Sequence, residues 1–240
     1  MNDSARKILF VVTSNNRLGD TGKPTGFHWE ELTTPYYAFE DKGYSVDFAS
    51  PQGGEPPYDP GSLKDEERER PQSVRKFLGD DQAKQKLKAS KPLDEVSMDD
   101  FAAVYLPGGH GTMWDLPYNR ELNRLLRQAD LSGKPIGAVC HGPAGFVGAE
   151  GADGEPLVKG HEVNCFTDEE EQAVGLDDVV PFLLESKLRE LGGEFKKADK
   201  FKACVVSDGN LVTGQNPASC GELADKMLDE LNRRRQHAAE

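Results

Sequence analysis

The stretch Pro135-Ile136-Gly137-Ala138-Val139-Cys140-His141-Gly142-Pro143 constrains the fold of this chain more than any other. An apolar run ends abruptly at a cysteine, and glycine and proline follow at once. A strand that stops in this way turns sharply into a helix. The turn lifts its cysteine side chain onto the carboxyl edge of a sheet.

The remaining periodicities fit that picture. Residues 7–13 (KILFVVT) read as a buried strand. Trp29, Leu32, Tyr36 and Phe39 then recur every three or four positions, predicting a helix that ends at Gly43 and is kinked by Pro35. Residues 45–49 (SVDFA) form a second strand, and strand–helix–strand of this length implies parallel pairing with a right-handed crossover. A third strand, 101–106, delivers the turn Leu106-Pro107-Gly108-Gly109-His110-Gly111. Asn119 caps the following helix, whose inward stripe is Leu122, Leu125, Leu126 and Ala129. Residues 136–139 are the fourth strand, the one that carries the cysteine.

Beyond it the pattern predicts a hairpin-like region at 157–166, an acidic turn at 167–171, a helix over 180–191, and strands at 203–206 and 211–213. Ser219 and Glu222 form a capping box for the last helix. The fold class expected is α/β: a flavodoxin-like, doubly wound sandwich with a mostly parallel sheet and helices on both faces. At 240 residues, one such domain over 1–240 suffices. Residues 51–97 break the rhythm with PQGGEPPYDPG and LKDEERER, offering one helix near 73–89. This excursion is an active-site cap, a subunit contact or a plain solvated insertion.

A net charge of −13 argues against the basic face that phosphate backbones require, and none is apparent, so no nucleic-acid partner is expected. The run Arg233-Arg234-Arg235 ends the last helix, where it complements the helix dipole. Cys140, Cys165, Cys204 and Cys220 lack C-x-x-C spacing, which disfavours structural zinc. No signal peptide is legible and no apolar run approaches the ~20 residues of a membrane span. A cytoplasmic location without a disulfide framework or membrane partner is expected.

Cysteine is often inert packing, but Gly142-Pro143-Ala144-Gly145 lets a helix begin immediately after Cys140, and a helix N-terminus favours a thiolate. His141 can exchange a proton with that thiol, and its N–H lies where one oxyanion donor usually does. Gly108 and Gly109 permit a backbone path that aims a second N–H at the same place. Glu30 and Glu31 open the first helix, either simply favouring its dipole or turning a carboxylate into the site. Glu169, Glu170 and Glu171 pose the same choice: one of them orients His141, or all are solvated.

Several segments together resemble the ThiJ/PfpI superfamily, relatives of the class I glutamine amidotransferases. They are Thr25-Gly26 through Glu31-Leu32 with Pro35, Gly108-Gly109-His110-Gly111, Ala138 through Pro143, Phe166-Thr167-Asp168, and Val212 through Ser219. The similarity spans residues 7–231 and is greatest to the heat-inducible chaperone and glyoxalase III branch. It implies a nucleophile at Cys140 partnered by His141, a carboxylate on the thiol at Glu31, a histidine-orienting acid at Glu171, and oxyanion donors at the N–H groups of Gly109 and His141. No metal site and no cofactor are implied. Residues 204–220 contain no histidine, which disfavours glutaminase activity. The implied activity is glyoxalase III-type conversion of a small dicarbonyl substrate, methylglyoxal or glyoxal, to lactate or glycolate, with deglycase activity from the same site. The alternatives are a holdase chaperone, a cysteine peptidase or amidase, and redox sensing at Cys140 or Cys165. A homodimer is expected from the same resemblance.

Overall fold

The structure is a computed structural model that describes residues 6–237. The chain opens with β1 (Lys7–Val11), α1 (Trp29–Glu40) and β2 (Ser45–Ser50), with β1 and β2 paired in parallel as the first crossover. The excursion contributes α2 (Gln72–Gly79), α3 (Asp81–Lys88) and the short edge strand β3 (Lys91–Pro92). Next come β4 (Ala103–Leu106), α4 (Thr112–Asp115), α5 (Arg120–Leu131) and β5 (Ile136–Val139). The last third holds β6 (Glu162–Val163), α6 (Asp168–Val174), α7 (Leu184–Glu190), β7 (Glu194–Phe195), β8 (Val205–Asp208), β9 (Leu211–Gly214) and α8 (Cys220–His237).

Seven strands form one sheet in the order β3-β2-β1-β4-β5-β9-β8, parallel except for the terminal β8–β9 hairpin. Successive residues face opposite sides, and the two cores follow from that alternation. Ile8, Phe10 and Val12 join Tyr105 in the layer under α1 and α8, while Leu9 and Val11 join Val104 and Leu106 in the layer under α5. Phe10 sits among the rings of Tyr36, Phe39, Phe48 and Tyr105. The chain winds from β1 outward to β3, then returns to the other side of β1 with β4. That reversal opens a crevice at the carboxyl ends of β1 and β4, where ligands bind in sheets of this kind.

Several local expectations are corrected. The single helix over 73–89 is two, because Asp80 ends α2 and uses its own carboxylate to accept the Ala83 N–H as the N-cap of α3. The acidic turn at 167–171 is the first turn of α6, with a capping box between Thr167 and Glu170. The region 157–166 is no hairpin, since β6 pairs in parallel with the distant β7. The helix over 180–191 begins only at Leu184. Ser219 ends a 3-10 turn and spends its hydroxyl on Cys204, accepting from the N–H and donating to the carbonyl, instead of capping α8. α1 contains Pro35, as expected, but ends at Glu40 rather than at Gly43. No helix among the described residues is long and apolar enough to cross a membrane.

Candidate active site

Three turns converge at the crevice. The first carries Cys140, which immediately follows β5 with a φ of 58°, a left-handed conformation that a non-glycine residue adopts only under constraint. The constraint is visible. Its N–H donates to the Gly214 carbonyl at 2.9 Å, and its own carbonyl accepts from the Phe166 N–H at 2.8 Å. The predicted helix after Cys140 is a five-residue 3-10 turn, Gly142–Phe146.

The second turn follows β4. Gly109 has a φ of 103°, which only glycine adopts at little cost. At Gly108 a Cβ would lie 2.6 Å from the His141 nitrogen and 2.7 Å from Glu31 Oε2, so a side chain there would collide with both. The Thr112 hydroxyl lies 2.9 Å from the carbonyls of Gly109 and His141, tying the two turns together. Among the described residues, the N–H groups of Gly109 and His141 have no hydrogen-bond partner.

The third group comes from the start of α1. Glu31 is fully buried while Glu30 is half-buried, and Glu31 Oε2 accepts the Gly108 N–H at 2.7 Å. Burial pushes its carboxyl up to about 8, and the Cys140 thiol and the Gly108 N–H offset only part of that push. Glu31 therefore keeps its proton at neutral pH. Its position follows from the chain: Pro35 has no N–H to offer the Glu31 carbonyl, and the Tyr105 hydroxyl donates to that carbonyl instead at 2.7 Å.

Cys140 Sγ lies 3.3 Å from His141 Nδ1, and His141 Nε2 lies 2.6 Å from Glu171 Oε2. With the Nε2 proton donated to the carboxylate, Nδ1 presents its lone pair to the thiol. Burial and the neighbouring His110 ring hold His141 below its ordinary pKa, so the ring is neutral at rest. Burial opposes ionisation of Glu171, but the His141 ring and hydrogen bonds from His110 and His141 outweigh it and hold this carboxyl well below the usual range. The other glutamates of the run are engaged elsewhere. Glu169 pairs with Lys200, and Glu170 serves the Thr167 cap and accepts from the Phe201 N–H and the Asn216 side chain.

The expectation that a helix end lowers the thiol pKa is not met. Burial pushes Cys140 up, and charge on Glu31 and Glu171 would add to the push. Because Glu31 holds its proton, its charge does not add to that push at neutral pH.

Two further histidines, to which the sequence alone assigns no role, reach the site. His110 Nε2 lies 2.8 Å from Glu171 Oε1, and its ring rests 4.0 Å from that of His141. His28 lies beside Glu31. The Gly-Gly-His-Gly turn was legible, but the histidine's partner lies 61 residues away, beyond any local pattern. His110, His141 and Glu171 present ligand atoms within 4.8 Å of one another and could gather a divalent ion. Both rings direct Nε2 at the carboxylate, as an acid–base pair requires. A cavity of about 340 Å³ opens over Cys140, walled also by His28, Glu31, His110, Phe166 and Phe201. Asp59, Gly61 and Ser62 of the excursion complete its rim. The other candidate thiol, Cys165, is fully buried and points at the Phe166 carbonyl.

Comparisons with known proteins agree with this architecture. Residues 24–230 match the model of the DJ-1/PfpI family. The chain is 31% identical over 234 residues to the glutathione-independent glyoxalase HSP31 of Saccharomyces cerevisiae, covering 94% of this chain and 98% of that protein. The Rapid Encystment Protein 24 kDa of Francisella tularensis superposes with a TM-score of 0.89 at 37% identity, covering 94% of this chain and 99% of that one. Glyoxalase III of Candida albicans gives 0.86 at 28% identity, covering 95% and 98%. The chain belongs to the DJ-1/PfpI family.

Proposed function

We propose that this protein is a cofactor-independent glyoxalase III-type enzyme, converting methylglyoxal to lactate and glyoxal to glycolate. The observation that carries the reading is the chain of contacts from Cys140 Sγ through His141 to Glu171 on the floor of a cavity that also holds the protonated Glu31. The names of the yeast and Candida relatives support the same chemistry.

Each step uses a group already placed. His141 Nδ1 takes the thiol proton as sulfur adds to the aldehyde carbon, C1. The developing alkoxide lies against the free N–H groups of Gly109 and His141, then takes the proton from His141. The result is a hemithioacetal. The ring, neutral again, removes the hydrogen on C1, and the electron pair left behind forms the C1=C2 bond. The former ketone oxygen receives a proton from Glu31. This enediol collapses when Glu31 collects the proton of the C1 hydroxyl and His141 returns its proton to C2. The product is a lactoyl thioester on Cys140. Water, deprotonated by His141, hydrolyses it, and the sulfur leaves as a thiol. The sequence is redox-neutral and needs no glutathione, since the enzyme supplies the thiol. A carboxyl titrating near the working pH suits a group that must both give and collect a proton.

Methylglyoxal loss assayed without glutathione tests the reading. Turnover should vanish in Cys140→Ser, and an undiminished rate in that variant would end the proposal.

A further inference from the structure

His28 occupies the N-cap of α1, a position where a side chain ordinarily accepts a backbone N–H of the first turn. It does not do so. The Trp29 N–H is taken by the Ser62 hydroxyl at 3.1 Å, from the excursion. The N–H of His28 itself donates to the Gly108 carbonyl at 3.0 Å, which pins its backbone to the glycine turn. Freed from capping, the ring forms part of the cavity wall with Glu31 and Cys140. Its Nδ1 is buried without a hydrogen-bond partner, and so is Oε1 of the fully buried Glu31. These two atoms are 3.8 Å apart, too far to bond each other. A small shift of the ring that opened both atoms to the cavity would let one oxygen atom, roughly 2.8 Å from each, satisfy both.

We propose that His28 Nδ1 and Glu31 Oε1 together hold the second oxygen of a vicinal dicarbonyl, the one on the carbon that sulfur does not attack, making His28 a substrate-binding residue. The inference rests on the glyoxalase reading and assigns the oxygen that the backbone N–H pair leaves unattended. That oxygen gains electron density when the hydrogen on C1 departs and the C2=O bond gives way to C1=C2. A donor is therefore worth most in the transition state. Burial, helped by the His110 and His141 rings, pushes His28 down to about 4, so at neutral pH it donates as an uncharged imidazole. A neutral imidazole polarises a carbonyl in enediol chemistry without competing for the proton being moved. Glu31 Oε1 supplies the proton; His28 fixes where the oxygen waits for it.

The test compares His28→Leu, which removes the donor, with His28→Asn, whose amide nitrogen can occupy the place of Nδ1. For each, kcat and KM are measured with methylglyoxal and glyoxal. Alkylation of Cys140 by iodoacetamide and inhibition by acetaldehyde, an aldehyde with no second oxygen, report on the rest of the site. His28→Leu should lower kcat/KM for both dicarbonyls by about 10²- to 10³-fold, most of it in kcat, as loss of one donor to a developing oxyanion does. Alkylation and acetaldehyde inhibition should stay within about twofold, and His28→Asn should recover most of the turnover, as a restored neutral hydrogen bond would. The proposal is overturned if His28→Leu turns over dicarbonyls like the wild type, or if alkylation and acetaldehyde inhibition fall as far as turnover. A wild-type protein that consumes no dicarbonyl would overturn the reaction assignment and this inference with it. Failure of His28→Leu alone would leave the reaction standing.

Discussion

Glu31 and Glu171 make an instructive comparison within one candidate active site. Each lies in the first turn of a helix, α1 and α6, so both feel the same sign of helix dipole. They are 0% and 3% exposed, and burial opposes the charged form of both. Yet Glu31 is pushed up to about 8 and Glu171 is held well below the usual carboxylate range. The difference lies in the partners. Glu171 faces two imidazoles that give it N–H donors, whereas Glu31 has one backbone N–H, a thiol and a neutral histidine. Residue type, burial and helix position leave the roles undecided. In the proposed mechanism these partners make one a fixed anion and the other a proton carrier.

The comparison is broken most severely at Glu171. In Glu171→Gln, an amide that is itself half donor meets two rings that each expect an acceptor. His141 then has reason to rotate its proton to Nδ1, the wrong tautomer for accepting from the thiol. Turnover of methylglyoxal should fall by about 10³- to 10⁴-fold, the scale seen when a triad acid loses its acceptor role. A kcat within tenfold of wild type would show that His141 holds its tautomer without the carboxylate.

Glu31→Gln probes the other half. Glutamine keeps an acceptor for the Gly108 N–H but cannot release a proton, so kcat should fall by about 10²-fold, the lower range for general acid–base catalysis. Stability should move the opposite way. The Glu31 carboxyl is raised from 4.5 to about 8 on folding. Between those values the unfolded chain has lost this proton and the folded chain has not, so wild-type stability falls as pH rises, by at most about 1.4 kcal/mol per unit. Glu31→Gln lacks that penalty, and its urea midpoint should gain on the wild type from pH 5 to pH 8. Glu171 has the opposite linkage: its contribution is present above 4.5 and is lost as pH falls. Parallel midpoints for wild type and Glu31→Gln across that range would mean that Glu31 is ionised in the folded protein.

Why the sequence alone left both carboxylates ambiguous is a matter of helix phase. The apolar strands were legible because they are buried on both faces, and the elbow was legible because an apolar run ends at Cys140 beside Gly142 and Pro143. Choosing among Glu169, Glu170 and Glu171 needs the first residue of α6. The signal was there: Thr167 and Glu170 stand at capping-box spacing, which commits Glu170 to the cap and leaves Glu171 for the site. Reading the acidic run as a turn hid it. Asp80 likewise announced the break between α2 and α3 by its capping chemistry. The roles of His110 and His28 had no local signature, because each is defined by atoms that only the tertiary fold brings near.

The smallest expected effect concerns what holds Glu31 in place. In an unbroken helix the Glu31 carbonyl would accept the N–H of residue 35, but Pro35 has none. The Tyr105 hydroxyl, on the strand that leads into the Gly108-Gly109 turn, takes that place. Tyr105→Phe should therefore cost about 1–2 kcal/mol, the penalty for a buried carbonyl left without a donor. Turnover should change by only a few fold, since the Glu31 side chain keeps its own bond to Gly108. Pro35→Ala supplies the missing N–H. In the Tyr105→Phe background it should recover part of the loss, with a coupling of about 0.5–1 kcal/mol in a double-mutant cycle. Strict additivity would show that the hydroxyl and the proline are independent. The proton-carrying carboxylate would then be anchored through its Gly108 contact alone, unlike Glu171, whose two oxygens are each held by a ring.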